Sequence, residues 1–149
     1  MQSLGHTRSA RYPDHLLQTP DTFVRAPLPG MRGVTAIVHA APAIGAKFTQ
    51  YTAEFEPQGT LAPIQDQRFV YALEGTIEAP GLTLKAGDYA WFPPGADVEL
   101  RAASAARAAV IEKPYLALPG IAPPACFKGS KAKSPRRHSW ATPISKCAA

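Results

Sequence analysis

Gln65, Gln67, Arg68 and Tyr71 form a polar cluster midway along the chain, and their chemistry is that of ligand recognition. A guanidinium presents a rigid fork of N–H donors that can grip a carboxylate through two parallel hydrogen bonds. The amides and the phenol would add neutral donors and acceptors beside it. An Arg68 that points outward into water is the ordinary alternative. Catalytic candidates are absent. His39 lies inside a run of strand-forming residues, Val34 to Ala40, with no His, Cys or paired carboxylate at ligand spacing, so a structural role is expected. His6 and His15 lie near the N-terminus and His138 near the C-terminus, and no two of these converge by spacing. No nucleophile elbow, phosphate loop or paired-cysteine zinc spacing occurs.

The elements that must position the cluster are strands. Sixteen prolines and eleven glycines leave no uninterrupted amphipathic helix of ordinary length. Short runs rich in β-branched and aromatic residues recur between turn signals. They are 22–26, 34–40, 46–55, 68–73, 76–79, 82–84, 89–92, 98–102 and 106–112. Eight or nine short strands predict an all-β chain, a single barrel or jelly roll. Alternation along 47–55 puts Tyr51, Ala53 and Phe55 on one face, and Gln50, Thr52 and Glu54 on the other. Trp91, Tyr71, Phe69 and Phe92 would either floor a ligand pocket or fill the core, and barrels of this size are filled by side chains.

A formal charge of +5 invites a nucleic-acid reading, which its distribution opposes. All eleven acidic residues lie at or before Glu112, and residues 1–127 carry ten Lys or Arg, one net negative charge. The excess resides in Lys128, Lys131, Lys133, Arg136, Arg137 and Lys146. The folded part therefore has no basic face for phosphates. Cys126 and Cys147 are too few for a disulfide framework and are read as unpaired thiols. No apolar run approaches a membrane span, and residues 1–15 lack the apolar stretch of a leader, so the expected location is cytoplasmic, with neither membrane nor nucleic acid as a partner.

Two spaced motifs sharpen the fold. Gly87-Asp88-Tyr89-Ala90-Trp91-Phe92-Pro93-Pro94-Gly95 turns into a strand and out of it again. It resembles the second motif of the cupin family, in which a metal-binding His follows three residues after the last Gly; Val98 stands there instead. The segment Gly59 to Gly75 resembles the first cupin motif, with Gln65 and Gln67 where a His-x-His pair is usual. Uncharged amides and a Val do not hold a transition metal firmly, so the resemblance implies a cupin barrel without its metal.

Further segments narrow the resemblance. Leu4-Gly5-His6-Thr7-Arg8, Thr19-Pro20-Asp21, Leu28-Pro29-Gly30, Gly45-Ala46-Lys47-Phe48 and Glu112-Lys113-Pro114-Tyr115 are similar to the first half of the two-cupin (S)-ureidoglycine aminohydrolases, over about residues 4–127. That family implies a manganese-dependent hydrolase releasing ammonia in allantoin and purine catabolism, with manganese in a second cupin. The expected role here is a metal-free structural half, truncated, packing on a second cupin domain or forming a homo-oligomer. The rival is a free-standing cupin that binds a small carboxylate. Domain expectations are an arm over 1–22, a degenerate barrel over 23–115, and a linker with a basic, disordered tail over 116–149. The tail is expected to be out of frame from about residue 130. Read two bases out of frame, with G or C at the wobble positions, 137–147 encodes Pro-Leu-Leu-Gly-Asp-Pro-Asp-Leu-Gln-Val, similar to the family's linker into its second cupin.

Overall fold

The computed structural model describes residues 8–133 and 145–146, and among these every regular element longer than three residues is a strand. In chain order they are β1 (Ala10–Arg11), β2 (Leu16–Leu17), β3 (Arg25–Ala26), β4 (Met31–Ala40), β5 (Thr49–Leu61), β6 (Gln67–Glu74) and β7 (Thr76–Ala79). There follow β8 (Leu82–Lys85), β9 (Asp88–Phe92), β10 (Leu100–Arg101), β11 (Ala106–Lys113), β12 (Phe127–Ser130) and β13 (Ser145–Lys146). All but β1 and β2 join one antiparallel sheet in the order β13-β12-β9-β6-β11-β5-β10-β7-β8, with β4 pairing β5 and β3. Sequence neighbours such as β5 and β6 are separated by β11, which is the crossed connectivity of a jelly-roll barrel and not of a meander. The all-β expectation holds, and the fold is a cupin-type barrel.

Period-two alternation builds the core. Tyr51, Ala53 and Phe55 of β5, Val70 and Ala72 of β6, Ala90 and Phe92 of β9, and Ala108 and Val110 of β11 all point inward and are buried. Small and large residues alternate along the strands, so that Ala36, Ala53, Ala108 and Ala72 face one another across β4, β5, β11 and β6 while Tyr51, Val110 and Val70 form the adjacent, larger row. The β9 turn forms as the sequence predicts: Gly87 (φ 89°) leads into β9, and Gly95 (φ 69°) follows Pro93-Pro94 in the left-handed region. Gly95 N–H donates to the Gln65 carbonyl at 3.0 Å, which ties this turn to the loop before β6.

Several stretches differ from expectation: β4 begins at Met31 and not at Val34, and the strand foreseen over 46–55 starts at Thr49 and runs on to Leu61. The strand foreseen over 22–26 is a 3₁₀ turn at Pro20–Thr22 and then the two-residue β3, because Pro20 presets the turn and Thr22 Oγ donates back to the Thr19 carbonyl at 2.8 Å. The strand foreseen over 98–102 shrinks to β10. The segment foreseen as tail contributes β12, which pairs with β9 from Phe127↔Trp91 to Ser130↔Asp88. Phe127 stacks on Trp91 with ring centroids 5.7 Å apart, and Gly129 passes so close over Tyr89 that a Cβ there would collide with the ring. Lys128 donates to Asp88 at 3.1 Å and to the Thr83 carbonyl. Charge and stacking together therefore seat residues 127–130 on the sheet. Cys126 is disulfide-bonded, not the free thiol expected. Residues 134–144 and 147–149, with most of the tail reading, lie outside the described residues.

The arm packs on the outside of β4 and β5. Ser9 Oγ accepts from Thr19 N–H at 2.8 Å, which closes the β1–β2 hairpin segment. Gln18 Oε1 lies 3.2 Å from His39 Nδ1, Thr52 Oγ lies 2.9 Å from His39 Nε2, and Phe23 meets the imidazole edge-on at 5.4 Å. His39 thus ties the arm to β4 and β5. Burial holds its pKa below the ordinary 6.5. A lowered histidine pKa means that the folded state favours the neutral ring, so the contribution is complete above pH 6.5 and is lost as pH falls through the folded-state value. Melting temperatures measured from about pH 7.5 to about pH 5 should fall for the wild type below 6.5, with a smaller fall for His39→Gln.

Candidate functional site

The barrel interior carries one charged cluster. Arg68 is the only charged side chain that is buried among the described residues, at 5% exposure. It lies on the inner face because Val70 and Ala72, two and four residues on, are core residues of the same strand. The β6–β11 register sets Arg68 directly opposite Glu112, and the β5–β11 register sets Tyr51 opposite Val110, one inward position away. Arg68 Nε and Nη2 both donate to Glu112 Oε1, at 2.9 and 2.8 Å, and Nη1 donates to the Ala62 carbonyl at 2.9 Å. Tyr51 O–H donates to the same carboxylate oxygen at 2.8 Å.

Three donors thus converge on one carboxylate oxygen, charge-assisted hydrogen bonds that offset the water this side chain gives up beside the core. The phenol stays protonated throughout the accessible pH range: burial raises the Tyr51 pKa far above its ordinary value, and the adjacent Glu112 charge raises it further. The remaining space at this cluster is about 50 Å³, bounded by Leu28, Met31, Leu61 and Ile64 among others. Cavities that hold small organic ligands run to several hundred Å³, so this one is of a size for water alone.

The cluster foreseen from the sequence is not assembled. Arg68 points in, whereas Gln67 and Tyr71 stand on the opposite face of β6 with Phe69. Gln67 Oε1 accepts from the Trp91 indole N–H at 3.1 Å, and Gln67 Nε2 donates weakly to the Pro114 carbonyl at 3.5 Å. Gln65 is exposed in the loop before β6, held by its backbone alone. Val98 is half-buried against the core. Of the four aromatics, Phe92 is core, while Phe69, Tyr71 and Trp91 lie half-buried on the outer face. Glu112 and Tyr51 were missed as partners. The signal was present: each sits at the even spacing from Val110 and from Ala53 that marks an inward position.

A divalent metal does not fit the residues at the cupin ligand positions. Gln65 is exposed in a loop, Gln67 faces away from the interior, Val98 offers no donor, and a guanidinium already neutralises Glu112. Among the described residues, no three His, Cys, Asp or Glu side chains converge as a metal set.

No family model matches the chain. A probable (S)-ureidoglycine aminohydrolase from Oryza sativa is 31% identical over 138 residues, covering 88% of this chain and 44% of that protein. The (S)-ureidoglycine aminohydrolase of Arabidopsis thaliana is 29% identical over 118 residues, covering 74% of this chain and 40% of that protein. The chain is a homologue of the (S)-ureidoglycine aminohydrolases. It spans less than half the length of these curated relatives. Among solved structures, protein Ylba from E. coli superposes with a TM-score of 0.76 at 23% identity, covering 86% of this chain and 57% of that one. A putative glyoxylate-induced protein from Pseudomonas aeruginosa gives 0.66 at 28%, covering 73% and 45%. The first of these establishes likeness of fold alone, and it agrees with the cupin barrel described above.

Removing one partner of a buried pair strands the other charge, at a cost of about 3–5 kcal/mol, whereas replacing both with apolar groups is often close to neutral. In urea unfolding, Arg68→Ala should therefore lose stability in about that range. Arg68→Met combined with Glu112→Leu in this homologue of the aminohydrolases should recover most of the loss. Equal losses in the single and double variants would mean that the pair is not a coupled unit.

Proposed function

We propose that this chain is the metal-free cupin half of a ureidoglycine aminohydrolase-like enzyme, with a structural and interface role. The reading is carried by the Arg68–Glu112–Tyr51 cluster, which fills the barrel interior with a protein-held cation. In this reading manganese belongs to a second cupin domain, and there it supplies the hydrolysis that frees ammonia from (S)-ureidoglycine in allantoin and purine breakdown, in the cytoplasm. This chain's residues keep their barrel rigid and offer surface to that domain or to a second copy. Supporting the interface role, the segment after β11 exposes Leu116, Leu118 and Ile121 at 77, 61 and 61%. Three large apolar side chains in so short a stretch, folded back by a turn at Pro119-Gly120, are more than scattered surface hydrophobics require.

A free-standing carboxylate-binding module is the weaker reading, because Arg68 spends its N–H groups on Glu112 and Ala62 and leaves no room for an organic acid. The test is ammonia release from (S)-ureidoglycine by the purified, manganese-loaded chain, with sedimentation velocity on the same sample. The expected result is no ammonia above background, together with concentration-dependent self-association that weakens in a Leu116→Ser, Leu118→Ser, Ile121→Ser variant. Ammonia release that disappears in Arg68→Ala would defeat the proposal, since it would place catalysis in this barrel.

A further inference from the structure

Outside the barrel interior lies a larger cavity, of about 430 Å³, at the rim where β5 begins and β11 ends. Its size falls within the range of small-molecule sites, and its walls are mostly apolar, both of which are marks of such sites. Two sequence segments that the proposed function leaves unused meet here. Ala46-Lys47-Phe48 comes from the loop between β4 and β5, and Lys113-Pro114 from the end of β11. Phe48 and Leu116 give the apolar wall, and the stems of Lys47 and Lys113 extend it.

Charge decides the ligand class. Glu112 lines the cavity, but its carboxylate is matched by Arg68. That leaves the Lys47 and Lys113 ammonium groups against the single carboxylate of Asp66, one positive charge in excess. Both lysines are exposed, and neither makes an ion pair among the described residues. We propose that this rim cavity binds an amphipathic monoanion, a carboxylate carrying an apolar body, with the carboxylate between Lys47 and Lys113 and the apolar part against Phe48 and Leu116. The inference does not depend on where the aminohydrolase chemistry resides, but it shares Leu116 with the exposed apolar segment proposed as an interface, so ligand binding and self-association through that segment would compete.

Octanoate is the probe, with octanol as its uncharged counterpart, in ligand-observed NMR titrations of the full chain at neutral pH. Saturable octanoate binding is expected, with octanol at least tenfold weaker. Lys47→Ala with Lys113→Ala should weaken octanoate at least tenfold while leaving the melting temperature unchanged, because both side chains are exposed. Leu116→Asp should weaken both ligands. Octanoate binding unaffected by the double lysine variant, equal binding of octanol, or no saturation at millimolar octanoate would each overturn the proposal. Since every variant is read against its own melting curve, loss of folding cannot pass for loss of the site.

Discussion

The carboxylate of Glu112 has to be neutralised where it stands, and much of the barrel's arrangement follows from how that is done. An ionised group brought beside a core pays a desolvation cost that only a close opposite charge and saturated hydrogen bonds can offset. Arg68 meets it from β6, Tyr51 from β5, and the Ala62 carbonyl takes up a guanidinium N–H the carboxylate does not use. The cluster thereby couples three adjacent strands, β5, β11 and β6. A slip of one residue in any of these registers would carry a charge to the outer face and leave its partner stranded, so the ion pair also specifies pairing.

This arrangement separates the fold from the chemistry that the fold elsewhere supports. The turn residues that bring a cupin's strands to its ligand positions are kept, as Gly87 and Gly95 show by their left-handed backbone. The side chains at those positions have been put to other uses: Gln67 satisfies the indole of Trp91 on the outside, and Val98 packs against the core. Turn residues set the fold and side chains set a site, and sites can be grafted on or removed without changing the fold. The larger rim cavity between the β4–β5 loop and the end of β11 lies apart from that interior and has its own charge balance.

The fold was legible because turn chemistry and alternation are local. The edges of β7, β8 and β9 fall within a residue of where Gly and Pro punctuation puts them. The candidate site was less legible, since residues grouped by closeness in sequence alternate between faces in a strand. Arg68 and Tyr71 are three apart, and an odd spacing places them on opposite sides of β6. Glu112, forty-four residues from Arg68, is its real neighbour, and only the β6–β11 register reveals it. β12 escaped notice because Phe127-Lys128-Gly129-Ser130 has little strand propensity of its own; it is held by Trp91, Asp88 and the open edge of β9.

The central claim, that a protein cation rather than a metal completes this barrel, is tested most directly by diffraction from crystals soaked in manganese and recorded at the manganese absorption edge. The account predicts no anomalous peak inside the barrel, with Arg68 Nη2 still within hydrogen-bonding distance of Glu112. An anomalous peak bound to Glu112, with the Arg68 side chain swung away from it, would contradict the account.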